Sequence, residues 1–231
     1  MITSIGFDAD DTLWHNEVFF RLTQNRFADL LADHVAPDIL QDQLLTVERR
    51  NLGLYGYGIK GFTLSMIETA LQITNGSVPG RVIAELLAAG REMLAHPIDL
   101  LPHAHQAVTD LAKTHRIILI TKGDLLDQER KLAQSGLGDL FHGVEIVSEK
   151  TTAVYAQIFP RHGARLDQSM MVGNSLKSDV VPMLDAGGWG VHVPHDVTWA
   201  HEQAAEPTGN PRFHSLPDLG GLSDLVVKLS T

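Results

Sequence analysis

Cysteine is absent from the 231 residues. That excludes disulfides, thiolate nucleophiles and every metal site ligated by cysteine. Basic residues are scarce, 18 Lys and Arg against 28 Asp and Glu, for a net charge of −10. No stretch gathers Lys and Arg into the positive stripe that nucleic-acid phosphates require, so no nucleic-acid partner is expected. No apolar run approaches the roughly 20 residues of a membrane span, and no membrane partner is expected either. The opening MITSIGFDADD has neither the basic n-region nor the long apolar stretch of a signal peptide, so the expected location is the cytoplasm. Hydrophobic residues nevertheless make up 44%, enough for a packed core. At roughly 150 residues per domain, the length suits one large domain or a core with a smaller lobe.

What the sequence does have, close to its start, is concentrated negative charge. The stretch "SIGFDADDTLWHN" sets Asp8, Asp10 and Asp11 within four positions, directly after a short apolar run. Carboxylates that close repel one another and resist desolvation unless something positive sits among them. The cluster is therefore either a solvated turn or part of a site that takes a cation. Asp11 reads more simply as a turn or cap residue.

Two textures divide the rest of the chain. Ile2 to Phe7 reads as a buried strand. Then "FFRLTQNRFADLLADHV", "DILQDQLLTVERRNL", "FTLSMIETALQIT" and "PGRVIAELLAAGREMLA" show helical periodicity only. Pro37, the glycine-rich "GLYGYGIKG" and "TNGSVPG" separate them. After Pro97, strands and helices alternate: "RIILIT", "GVEIVS", "SMMVGN" and "WGVHVP" are of strand length, with helical stretches between them and "SLPDLGGLSDLVVKL" as a closing helix. Such alternation predicts right-handed βαβ units and a parallel sheet, an α/β fold. The first strand must rejoin that sheet, so the expected organisation is a core of residues 1–15 and 97–231 with an all-helical insertion at 16–96.

Parallel sheets of this kind bind ligands at the carboxyl ends of their strands. Those ends supply Asp8 and Asp10, then Thr121, Lys122 and Asp124, then Lys150, then Asn174 and Ser175 with Asp179 shortly after. The set suits a phosphoryl group with Mg²⁺, a hard cation that takes oxygen ligands. Asp8 and Asp179 offer carboxylates, Asn174 an amide oxygen and Asp10 its backbone carbonyl. Thr121 and Lys150 can hold phosphoryl oxygens, with Lys122 beside them as a further substrate-binding candidate or a loop-packing residue. Asp8 is placed to attack phosphorus, and Asp10 to give and take the proton. Asp124 reads as a helix N-cap.

On these residues the sequence resembles the haloacid dehalogenase-like (HAD) superfamily, along essentially its whole length. "FDADDTL" is similar to the first motif, "ILITKGD" to the second, "SEK" to the third and "VGNSLKSDV" to the fourth. The resemblance implies a Rossmann-like core with a C1-type helical cap at the insertion, and a small-molecule phosphate ester as substrate. It implies Asp8 as nucleophile, Asp10 as acid/base, and Thr121 and Lys150 as phosphate binders. Members that cleave carbon–halogen or carbon–phosphorus bonds lack the second aspartate, so Asp10 favours phosphate esters. The pattern departs at Asn174, where the family commonly carries aspartate. A dehalogenase or phosphonatase, a phosphomutase and a non-catalytic binding protein are the rival expectations, and the chain can act as a monomer or a homodimer.

Three features sit outside the motifs. Tyr55, Tyr57 and Lys60, in "GLYGYGIKGF", form either an interhelical loop or a segment that selects substrate. His103 and His105, at i, i+2 spacing, read as surface histidines rather than a metal pair. His192, His195 and His201 follow a strand end and are candidates for substrate contact.

Overall fold

The run Arg116–Lys122 shows why the core forms: four consecutive apolar residues, Ile117 to Ile120, are buried on both faces of a strand. The computed structural model, which describes residues 1–197 and 204–230, places this strand (β2) beside Ser4–Phe7 (β1). Gly143–Val147 (β3), Ser169–Gly173 (β4), Trp189–His192 (β5) and Phe213–Ser215 (β6) complete one parallel sheet in the order β3-β2-β1-β4-β5-β6. β1 lies central, with Ile5 opposite Ile117 on one side and Met170 on the other. The fold is the expected α/β, Rossmann-like one with a parallel sheet.

Alternation along the strands feeds two apolar layers. Ile5, Phe7, Leu119 and Val172 face a cluster with Val108 and Leu111 of Ala104–Ala112 (α5) and Leu222 and Val226 of Leu222–Ser230 (α9). Ile118, Ile120 and Met171 face Tyr155, Ile158 and Phe159 of Thr152–Arg161 (α7) and Met183 of Val181–Asp185 (α8). Gly6 leaves room on that second face: a Cβ there would lie 2.9 Å from Ile120 Cδ1 and 3.1 Å from Phe159 Cζ, so those side-chain ends would have to shift. Leu125–Ser135 (α6) connects β2 to β3.

Four helices form the insertion: Glu17–Leu30 (α1), Pro37–Tyr55 (α2), Ile59–Ile73 (α3) and Gly80–Ala95 (α4). They close their own core around Phe27, Leu44, Phe62, Met66 and Leu86. By contacts the described chain falls into two units. One holds Met1–Glu17, Ile98–Lys122 and the described residues from Gln128 on; the other holds Val18–Pro97 and Gly123–Asp127.

Three details differ from the sequence expectation. β6 is a strand of three residues, too short to show a period, and the closing helix starts at Leu222 rather than near Ser215. The stretch read as one helix after Asn174 begins as a wide turn, Leu176–Val180, before α8. The loop between α2 and α3 is only Gly56–Gly58, because Gly53 to Tyr55 extend α2. Gly56 and Gly58 take positive φ, which makes so short a turn possible.

Candidate active site

Asp8 is the first residue past β1, and its N–H bonds the Val172 carbonyl of β4 at 2.9 Å. It thus stands at the carboxyl edge of the sheet, between β1 and β4, where the strand order reverses and such sheets bind ligands. Its side chain is buried. The Lys150 ammonium contacts Asp8 Oδ1 and, at 2.7 Å, Asp179 Oδ1. The Thr12 hydroxyl lies 3.1 Å from Asp8 Oδ2 and 3.4 Å from Asn174 Oδ1, and accepts the Asn174 N–H at 3.0 Å. Asp8, Lys150, Asn174 and Asp179, four of the residues picked out by sequence, form one network with Thr12.

The electrostatics of this network are unbalanced. The Asp8 carboxyl is raised to about 7: burial pushes it up most and the Asp179 carboxylate adds to that, together outweighing the downward pull of Lys150. Burial also works against the Lys150 charge, but the Asp179 and Asp8 carboxylates outweigh it and hold the ammonium above the ordinary lysine range. Two carboxylates share one ammonium, so the buried cluster is short of positive charge. Its donors are all oxygens, the set a hard divalent cation takes, and the residues fit Mg²⁺ in both charge and chemistry.

The loop after β4 is built to present Asp179. Ser175 donates its N–H to Asp179 Oδ2 at 3.0 Å, and its hydroxyl accepts the Ser178 N–H at 2.9 Å. Tyr155 OH donates to the Ser178 carbonyl at 2.9 Å, tying the turn to α7. His192 Nε2 lies 3.1 Å from the Asn174 carbonyl, so this histidine braces the loop. Lys122 Nζ donates to Ser178 Oγ at 3.0 Å. Thr121 is buried at the end of β2, its hydroxyl 3.3 Å from the Lys122 carbonyl.

Asp10 has a separate setting. Trp14 Nε1 donates to its Oδ1 at 2.7 Å, Gln128 Nε2 to its Oδ2 at 2.9 Å, and Lys131 Nζ lies 2.9 and 3.1 Å from the two oxygens. Asp11, the third carboxylate, takes a positive φ of 60° and accepts the N–H groups of Asn16 and Glu17 at 2.9 to 3.1 Å, capping the entry to α1. Asp is among the few residues that tolerate that conformation. The run of acids thus divides by role: Asp8 joins Lys150, Asp10 joins Lys131, and Asp11 caps.

The remaining residues fall elsewhere. Lys60 pairs with Asp124 at 2.9 Å, both in the helical unit, and Asp124 also accepts the Asp127 N–H at 3.2 Å as the N-cap of α6. Tyr57 lies in the α2–α3 loop. His195 Nε2 is 3.6 Å from Asp11 Oδ1, and His103 and His105 are exposed at the start of α5. His201 lies outside the described residues. The sequence does not single out Gln128 and Lys131. Their signal is that the inward face of α6 is polar: Asp127, Gln128, Lys131 and Ser135 are all buried there beside Leu132.

A family model described as haloacid dehalogenase-like hydrolase matches residues 2–187. The chain is similar to a solved haloacid dehalogenase-like family hydrolase from Xanthomonas campestris: 41% identity, 99% of this chain and 91% of that one, TM-score 0.88. Among curated proteins it is 24% identical to the glyceraldehyde 3-phosphate phosphatase of Methanothermobacter thermautotrophicus, over 90% of this chain and 93% of that protein. The HAD-hydrolase YfnB from Bacillus subtilis, solved bound to magnesium, shares the fold with a TM-score of 0.68 at 14% identity, covering 97% and 98% of the two chains. Haloacid dehalogenases also share it.

Proposed function

Since the chain belongs to the haloacid dehalogenase-like hydrolases, we propose that the Asp8 site is that of a Mg²⁺-dependent phosphatase acting on a small phosphorylated metabolite. The observation that carries this reading is the buried network in which Asp8 and Asp179 share the Lys150 ammonium at the sheet's switch point. Asp10, two residues beyond Asp8, separates a phosphatase from a dehalogenase of the same fold, because only an ester's departing oxygen needs a proton.

Asp8, Asp179, the Asn174 amide oxygen and the Asp10 backbone carbonyl would hold the Mg²⁺. When bound, the ion offsets phosphoryl charge and polarises the group toward attack. Lys150 and Thr121 bind phosphoryl oxygens, with Lys122 beside them. One Asp8 oxygen attacks phosphorus; the bond to the ester oxygen breaks, and that oxygen takes the Asp10 proton as the alcohol departs. Asp10, now a carboxylate, removes a proton from water, which attacks the aspartyl-phosphate. The bond to Asp8 breaks, orthophosphate leaves, and both aspartates are restored. Burial raises the Asp8 carboxyl even with Lys150 beside it, so a further positive charge at the site favours the carboxylate that attacks.

The helical insertion occupies the place of the family's C1-type cap, and we assign substrate selection to Tyr57 and Lys60. The curated relative makes glyceraldehyde 3-phosphate the first compound to test. The experiment is phosphate release from a panel of phosphorylated metabolites with Mg²⁺, for the wild type and Asp8→Asn. Release from at least one compound, reduced by several orders of magnitude in the variant, supports the reading. No release from any compound, or a folded variant retaining more than about a tenth of the rate, overturns it.

A further inference from the structure

The inward face of α6 turns two polar side chains toward the core, and both end on Asp10. Lys131 is buried, its side chain 7% exposed, and Gln128 is 3% exposed. A lysine is rarely buried to that degree without an anionic partner. Lys131 has one, with Nζ within 3.1 Å of both Asp10 oxygens, and it reaches Asn16 Oδ1 at 2.8 Å as well. Gln128 donates its amide both to Asp10 Oδ2 at 2.9 Å and to the Lys122 carbonyl at 2.7 Å, which fixes it against the end of β2. Trp14, wholly buried, completes the set through its indole N–H.

We propose that Lys131 is the positioning residue for Asp10: with Gln128 and Trp14 it fixes the direction in which that carboxylate presents its oxygens. The proposal rests on the role given to Asp10 above. An aspartate side chain has two free torsions, and something must hold them. Thr12 and Lys150 bond Asp8 instead. Among the described residues, it is Trp14 and α6 that donate to the Asp10 oxygens. All three donate to a carboxylate, and the Lys131 contact adds the attraction of its own positive charge to the hydrogen bond. Proton transfer demands reach of about 2.6–3.2 Å between heavy atoms, so a carboxylate that swings away loses its function while the rest of the site stands. Lys131 touches no reacting atom in this scheme. It acts through Asp10.

A role in positioning differs measurably from a role in stability alone. The wild type, Lys131→Met, Lys131→Arg and Gln128→Leu would be assayed, Mg²⁺-loaded, on aryl phosphates of rising leaving-group basicity from p-nitrophenyl to phenyl phosphate. p-Nitrophenolate departs without a proton; phenolate gains from one. Lys131→Met is expected to lose about tenfold or more in kcat/KM, which reports the phosphoryl transfer to Asp8, on phenyl phosphate and only severalfold on p-nitrophenyl phosphate. Lys131→Arg should recover most of the loss, and Gln128→Leu should fall between.

The second readout needs no turnover. Trp14 Nε1–H, assigned in ¹⁵N spectra by its disappearance in Trp14→Phe, donates to Asp10 and reports where that carboxylate is. In Lys131→Met its resonance should move and its exchange with solvent quicken, with Lys131→Arg close to wild type. An unmoved indole signal in folded Lys131→Met, or an equal loss of kcat/KM across the ester series, overturns the proposal. If Lys131→Met does not fold, Gln128→Leu carries both readouts with the same criteria. Failure of the wild type on every ester would instead overturn the phosphatase reading, and the indole signal would still decide the placement of Asp10.

Discussion

The Asp179 carboxylate rests where a side chain on Gly173 would have to be. A Cβ at residue 173 would lie 2.2 Å from Asp179 Oδ2 and 2.4 Å from its Cγ. Glycine at the end of β4 is therefore what lets Asp179 fold back over the strand, accept the Ser175 N–H and meet Lys150. The same close approach brings Asp179 to Lys150, the cation it shares with Asp8.

Gly173→Ala should accordingly expel Asp179 and leave Lys150 with one carboxylate fewer. A loss of roughly 1–3 kcal/mol in stability is expected from overpacking, together with weaker Mg²⁺ binding by calorimetric titration. Gly53→Ala is the control. Nothing lies within 4 Å of a Cβ at that helical position, so alanine there should be neutral or stabilising by up to about 1 kcal/mol. If Gly173→Ala keeps both its melting temperature and its metal affinity, Asp179 does not depend on this glycine.

How much of the molecule is legible in its sequence divides along physical lines. The four helices of the insertion repeat their apolar residues at helical spacing, and the central strands are apolar throughout, so both announce themselves locally. β6 has only three residues, and no period can show in three. Asp8, Lys150, Asn174 and Asp179 follow strand ends, where the topology of a parallel sheet says a site must be. Lys131 does not. Its partner Asp10 lies 121 positions away, and a buried lysine on a helix is indistinguishable from a surface one until its partner is known. The direction of α6's polar face is a tertiary fact. Asp11 shows the converse case: its role as a cap is local, and turn chemistry is enough to see it.

Glu48 carries a pH-dependent cost within the helical unit. It lies on the inward stripe of α2 with Leu40, Leu44, Val47 and Asn51, and burial pushes its carboxyl from 4.5 up to about 7. With the folded value above the unfolded one, this group's favourable contribution is fully present below about pH 4.5 and is lost as pH rises through 7. Glu48→Gln removes the ionisation and keeps the shape. The variant should therefore melt above the wild type at pH 8, by an amount on the order of 2 kcal/mol, with the gap closing toward pH 5. A gap that is the same at both pH values would show that ionisation of Glu48 is not the cause.

Asn174 stands where the resemblance to the family's fourth motif leads one to expect aspartate, and the structure sharpens what Asn174→Asp should do. Its Oδ1 lies 3.4 Å from the Thr12 hydroxyl, which is itself 3.1 Å from Asp8 Oδ2, so an aspartate at residue 174 would join Asp8 and Asp179 in one buried cluster. Without metal, that third carboxylate adds repulsion to a site already short of positive charge, and Asn174→Asp should melt below the wild type. With metal, the same charge becomes an extra anionic ligand, and Mg²⁺ affinity should rise by roughly threefold to thirtyfold. The two effects have opposite signs, so added Mg²⁺ should raise the melting temperature of the variant by more than that of the wild type. Ligand binding to the folded state stabilises it by RT ln(1 + c/Kd), with c the free Mg²⁺ concentration, which ties the two measurements together. A variant that melts lower at every Mg²⁺ concentration by a constant amount, with unchanged affinity in calorimetric titration, would place the residue 174 side chain outside the metal shell. Asp8 and Asp179 would then be the carboxylates that hold the ion without it.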